Sequence, residues 1–355
     1  MRVTAAAADL SAALKHSVAA RTTPMPVLQH ALLTTGSDVL HLETSDTEIY
    51  MRHTIPAVVH EAGSICLTDA LLRTIASGGG DVILRDTGKV TRGRSHFTVP
   101  ALAANEFPAL DNVEFTPLPI DPVALRDALQ AIDYAYEDGD VRPFVRAVHI
   151  EAGRVWGTNG HQLGRISLDY QGPAIRVPGA QLKRLSGALV EGARVLGEVR
   201  STSQVGMLRV ESGTTQITVF CTDAVPPDCE TIIPHLGKRG CVRAHRRELA
   251  DAVRRMIPFL ANRNHKAPVI TVFQSPDGLE IKDTGGTSSE YLGIEAQAVV
   301  DTLHMGIDAG YLLAALGAVP GDTVELYLHP TFPAVILPDG GDVARIAHVI
   351  MPCRL

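Results

Sequence analysis

Residues 9–18 read DLSAALKHSV, and the same pattern returns as ALRDALQAI at 124–132 and ELADAVRRM at 248–256. In each, apolar residues fall at helical spacing: Leu10, Leu14, Val18; Leu125, Leu129, Ile132; Leu249, Val253, Met256. The spacing predicts three amphipathic helices. About 57 residues after each stands a second helix-like stretch, carried by Leu67, Leu71, Ile75, then Leu182, Leu185, Leu189, then Leu312, Leu316, Val319.

Outward from these helices, each unit continues into a turn and a β-rich run, GGGDVILRD at 78–86, EGARVLGEVRS at 191–201 and PGDTVELYL at 320–328. Each closes on a further strand within HFTVPAL, QITVFCT or RIAHVIMPCRL. Between the two helices lie alternating stretches such as VLHLETSDTEIYMRH and AVHIEAGRVWGTNGHQLGRISL, which predict antiparallel strands joined by Gly, Asp and Asn turns. Pro and Gly interrupt the pattern near EFTPLPIDP at 114–122 and HLGKRGC at 235–241. The expectation is an α+β chain of three similar domains, 1–116, 117–240 and 241–355, each with two helices on antiparallel sheets. A period this long is not a short solenoid repeat, and spacing alone fits an old duplication without mechanical consequence equally well.

Composition is that of ordinary globular material, 45% hydrophobic and 20% charged. Asp9 and Lys15 break the apolar run that a signal peptide needs, and no apolar stretch of about 18 residues follows, so a soluble cytoplasmic protein without membrane contact is expected. Cys66, Cys221, Cys229, Cys241 and Cys353 are odd in number and unpaired in spacing, which favours neither a disulfide framework nor zinc.

A net charge of −7 argues against a broad basic surface, so the distribution matters. The windows 9–20, 67–77, 121–131, 177–190, 243–257 and 307–318 carry 0, 0, −1, +2, +3 and −1, a net of +3 that leaves −10 for the rest. Lys183, Arg184, Arg243, Arg246, Arg247, Arg254 and Arg255 account for the excess. Helices lining one concave face would attract phosphates there, although solvated helix faces carry chance excesses of Arg as well. Catalytic patterns are missing. GGG at 78–80 follows a helix and has no Gly-Lys-Ser/Thr after it, and His161 has no partner at metal or triad spacing. No enzyme, metal or cofactor is expected.

Several strings together resemble the bacterial DNA polymerase III beta subunit, the sliding clamp family. RTTPMPVL at 21–28, FPAL at 107–110, DVR at 140–142, TNGHQL at 158–163, PPDCETIIP at 226–234 and VIMPCRL at 349–355 are similar to family segments in the same order, across essentially the whole chain. Asn159, Gln162, Pro226 and Cys229 depart from the family's Asp, Arg, Phe and Tyr, and Pro143 and Phe144 replace two aromatic residues.

The resemblance implies the DNA-clamp fold, a head-to-tail homodimer closing a six-domain ring around duplex DNA without sequence specificity. It also implies docking of the DNA polymerase III alpha subunit, the clamp loader, and other polymerases and repair proteins through short peptides. Carried over by residue, the peptide pocket comprises Val145, Thr158, Gly160, His161, Gln162, Leu163, Pro227, Ile232, Tyr311, Val349, Ile350, Met351, Pro352, Cys353, Arg354 and Leu355. Arg21, Lys183, Arg184, Arg246, Arg247, Arg254 and Arg255 would face DNA, and Phe107 and Leu110 would meet Phe259 and Leu260 of a second copy. A second-copy homologue acting as a decoy or in inhibitor resistance shares all of these features.

Overall fold

The computed structural model describes the chain except for residues 21–22, 109, 111–112, 202–203, 237–239, 261–267, 276–277, 294, 298–302 and 355. Among the described residues, six α-helices stand where the periodicity predicts them: α1 (Ala7–Lys15), α2 (Asp69–Ala76), α3 (Pro122–Ala131), α4 (Leu182–Ala188), α5 (Arg246–Leu260) and α6 (Ala309–Ala318). The predicted apolar positions of the first helix of each repeat are all buried. In α2 the phase is off by one residue: Leu71 is 41% exposed and Leu72 is fully buried, because the helix starts at Asp69 and Leu67 lies on the preceding strand.

The chain gathers into two compact units, Met1–Val123 with Lys183–Cys221, and Ala124–Leu182 with Thr222–Leu355. Every strand pair among the described residues is antiparallel, as tight Gly and Asx turns between short alternating runs require. In the first unit, strand Ile49–Glu61 pairs with Arg2–Ala6 on one side and, through Met51 opposite Ile217, with Thr215–Phe220 on the other. In the second, Gln162–Ser167 pairs with Ile346–Ile350. Sequence-distant strands thus join continuous sheets. The segment 117–240 gives one group of strands to each sheet, and the division into units runs through it for that reason.

Below the first unit's sheet, Leu10, Leu14, Leu33, Leu42, Leu72 and Leu84 form a closed apolar core. The first amide of α1 has no side-chain cap; the carbonyl of Gly80 takes it instead at 2.8 Å, which gives the GGG turn a structural role. In the second unit, Leu249, Val253, Leu312 and Leu316 from α5 and α6 close on Ile270, Ile281 and Ile336 of the strands. All five cysteines are free thiols, and burial pushes Cys66 up to about 11 and Cys229 up to about 12. No helix among the described residues is long and apolar enough to cross a membrane.

Candidate functional site

The TNGHQL string forms a turn held by its own side chains. Asn159 Oδ1 accepts from the His161 and Gln162 amides, both at 2.9 Å. The Thr158 hydroxyl accepts from the Gly160 amide at 3.0 Å and donates to the Gln162 carbonyl at 2.7 Å. Gly160 sits at φ +88°, and a Cβ there would stand 2.8 Å from the Arg142 guanidinium. That guanidinium is itself held over the turn by Asp140, with bonds of 2.9 and 2.8 Å that keep the Asp140 carboxyl well below the usual range. DVR and TNGHQL, far apart in the sequence analysis, are therefore one structural element.

Two further elements meet the turn. Asp308 caps α6, accepting from the Gly310 and Tyr311 amides at 2.7 and 3.1 Å. This fixes Tyr311, whose ring stacks on His161 at 6.2 Å and 15°, and whose hydroxyl meets Asn159. Burial raises the Tyr311 pKa and keeps it a neutral donor. Chain ends normally fray, yet here the Met351 amide donates to the His161 carbonyl and the Cys353 amide to the Gly306 carbonyl, each at 2.8 Å. Met351 remains 41% exposed beside the exposed His161.

The expected wall residues divide into two kinds. Val145, Thr158, Gln162, Leu163, Val349 and Ile350 are buried. Leu163 and Val349 belong to an apolar cluster with Trp156, Cys229 and Val335, on which Ile232 packs half-buried. These side chains hold the surface in place; the exposed part is Gly160, His161, Pro227, Met351 and Arg354, with Tyr311, Pro352 and Cys353 half-buried. Leu355 lies outside the described residues. Departures from the family pattern find partners: Cys229 fills the cluster, and Gln162 Nε2 donates to the Tyr134 carbonyl at 3.0 Å.

Of the residues expected to face DNA, Arg21 lies outside the described residues. Arg246 is engaged within the chain: its guanidinium donates to the Leu316 and Gly321 carbonyls at 3.1 and 2.7 Å and closes the end of α6. Arg243 is bound by Glu325 and Asp339, Arg254 by Asp251, and Arg255 by both oxygens of Glu290. Among the described residues Arg247 is exposed and makes no ion pair. Lys183 and Arg184 line a cleft of about 470 Å³ in the first unit together with Lys15 and His16, two residues that sequence reasoning left out.

Phe107, which the resemblance sets toward a second copy, is 4% exposed in the single chain and packs against Tyr50, Val27 and Leu28, with the Tyr50 ring edge-on at 6.0 Å. Leu110 and Leu260 are half-buried, and Phe259 is 60% exposed. Phe97, 39% exposed, lies on strand Ser95–Thr98, which among the described residues ends the sheet and pairs only with Lys89–Arg92. The alternating HFTV run just before Pro100 was the signal for it.

Residues 4–111 match the family model of the DNA polymerase III beta subunit, N-terminal domain. The beta sliding clamp of Pseudomonas aeruginosa is 26% identical over 360 residues, covering 95% of both chains. That of Synechocystis is 25% identical over 399 residues, covering all of both. Among solved structures, the DnaN sliding clamp from Pseudomonas aeruginosa bound to griselimycin has a TM-score of 0.86 at 25% identity over the whole of both chains. Caulobacter crescentus pol III beta has a TM-score of 0.88 at 21% identity, a likeness of fold. Residues 4–111 thus fit the family's N-terminal domain, and over 95% or more of its length this chain is similar to the bacterial DNA polymerase III beta subunits, the sliding clamps.

Proposed function

We propose that this sliding clamp closes as a head-to-tail homodimer of three repeats per chain, 1–116, 117–240 and 241–355, encircles duplex DNA, and tethers polymerases and the clamp loader through the surface around His161. The role is mechanical and cytoplasmic, with no catalysis. Phosphate attraction from Lys15, Lys183, Arg184 and Arg247 fixes no register, which suits sliding. The exposed edge strand Ser95–Thr98, bearing Phe97, supplies unpaired backbone groups for a second copy, with Phe259 as a complementary apolar group.

One observation carries the docking reading: residues 346–353 are held in register against the Asn159 turn, leaving Met351, His161 and Tyr311 to form a fixed, partly apolar surface. Burying two apolar side chains of a partner at about 1.5–3 kcal/mol each, less the ordering of the peptide, gives micromolar affinity. Deleting residues 351–355 is expected to abolish binding of a Gln-x-x-Leu-x-Phe peptide, read by fluorescence anisotropy, while sedimentation still shows a dimer. Unchanged affinity in the truncated chain places the docking surface elsewhere.

A further inference from the structure

The turn that shapes the docking surface occurs twice. At 45–49, Asp46 Oδ1 accepts from the Glu48 and Ile49 amides at 3.0 and 2.9 Å, and the Ser45 hydroxyl accepts from the Thr47 amide at 3.1 Å and donates to the Ile49 carbonyl at 3.0 Å. These are the bonds that Asn159 and Thr158 make, atom for atom. Thr47 sits at φ +79° where Gly160 sits at +88°. The adjoining strand also matches: Val219 opposes Ile49 and Thr218 opposes Tyr50, as Ile350 opposes Gln162 and Val349 opposes Leu163. Even the closing bond recurs, from the Phe220 amide to the Glu48 carbonyl at 3.0 Å, in the place of Met351 to His161.

The backbone is shared and the chemistry is not. Register sets Glu43, Tyr50 and Thr218 where the second unit has Trp156, Leu163 and Val349. Those three apolar residues close on Cys229 and Ile232, whereas the polar set opens on a cavity of about 230 Å³ that Arg52, Arg209 and Leu110 also line. Glu43 is satisfied within the chain, by the Tyr50 hydroxyl and by Arg52 at 3.2 Å. Arg209 is different. Its Nε donates to the Thr218 hydroxyl at 3.0 Å and its guanidinium lies 3.7 Å over the Phe115 ring, but among the described residues no carboxylate stands within ion-pair distance. Half-buried and without a direct ion pair among the described residues, its charge is held at a disadvantage: burial lowers its pKa, and Glu211 and Glu43, acting from farther off, offset this only in part.

We propose that this cavity is a second docking site, which takes one Glu or Asp side chain of an extended segment from a partner protein and pairs it with Arg209. The inference rests on reading the Asn159 turn as a docking surface. A carboxylate at the remaining N–H groups of Arg209 makes charge-assisted bonds in a partly desolvated setting, with Leu110 and Leu32 as the apolar wall for its stem. The volume suits one side chain, and Glu43, which also lines the cavity, disfavours a run of acids. A partner engaging both turns gains affinity through effective concentration.

The test uses fluorescein-labelled Gly-Ser-Leu-Glu-Leu-Ser and its Gln counterpart, titrated by anisotropy onto the full chain, Arg209→Met, Arg209→Lys, and the chain lacking 351–355. The Glu peptide is expected to bind about tenfold tighter than the Gln peptide. Arg209→Met is expected to erase that preference, Arg209→Lys to retain part of it, and the truncation to leave it intact. No measurable binding of the Glu peptide, a preference that survives Arg209→Met, or one lost on truncation overturns the proposal. Arg209→Lys keeps the charge, so a Lys variant that melts normally yet shows no preference for the Glu peptide also counts against it. Failure of the first docking surface is read separately, on the neutral Gln-x-x-Leu-x-Phe peptide.

Discussion

Asn159→Ala removes the acceptor that joins two amides of the docking turn while leaving the strands that flank it. The His161 amide belongs to an exposed residue and regains water; the Gln162 amide belongs to one that is 5% exposed and does not. One lost bond at about 1 kcal/mol and one buried donor left unpaired at about 1–3 kcal/mol give a destabilisation of roughly 2–4 kcal/mol. Trp156, the only tryptophan, is buried in the second unit, stacked 4.4 Å from His149, and its strand pairs with the one that leaves the turn, so its fluorescence reports this unit alone. At about 2–4 °C per kcal/mol, the Trp156 melting midpoint should fall by roughly 4–16 °C. Loosening His161 and the bond it makes to Met351 should weaken a Gln-x-x-Leu-x-Phe peptide about tenfold. The twin substitution, Asp46→Ala, deletes the same pair of bonds in the first unit. It should lower stability by a similar amount in calorimetry yet leave both the Trp156 midpoint and the neutral peptide's affinity unchanged. Equal loss of peptide binding in both variants, or a shift of less than about 1 °C in Asn159→Ala, refutes the reasoning.

Other outcomes follow from the same structure. Phe97→Glu puts a charge on the exposed edge strand and should yield monomers in sedimentation at micromolar concentration, while Phe107→Leu, a core change, should lower the melting temperature without dissociating the dimer. Reversing Lys183, Arg184 and Arg247 to Glu should reduce loading on nicked circular DNA and flatten its salt dependence, whereas Arg246→Gln should instead loosen the end of α6 and show as lost stability. Burial holds His149 and His348 neutral, lowering each to about 4 from 6.5. The unfolded chain therefore takes up protons first, so stability is full above about pH 6.5 and declines as pH falls toward 4, by up to about 3 kcal/mol per histidine. Urea midpoints between pH 7 and 5 check this, and His348→Phe, which leaves nothing to protonate, should flatten the slope.

The helices and their order were legible because burial of one helical stripe writes a 3.6-residue period directly into the sequence, and Leu10, Leu125 and Leu249 each mark it. The identity of the docking strings was equally local: Asn159, Gly160 and Thr158 need no distant residue to form their turn. Charge was legible only as a sum. Which arginines remain available depended on who faces them: Glu290 across from Arg255 and the α6 carbonyls across from Arg246 lie 35 and 70 or more residues away. Apolar character likewise could not show that Phe107 packs on Tyr50, since a phenylalanine in a core and one on an edge look alike until the neighbours are known. Partition of the middle segment between two sheets was decided by the pairing of Ile217 with Met51 and of Leu163 with Val349. That same long-range pairing makes the turns at Asp46 and Asn159 equivalent. A sequence fixes which residues can form a turn or stripe, because those forces act between near neighbours; only the folded chain decides which distant side chain meets each charge and each edge.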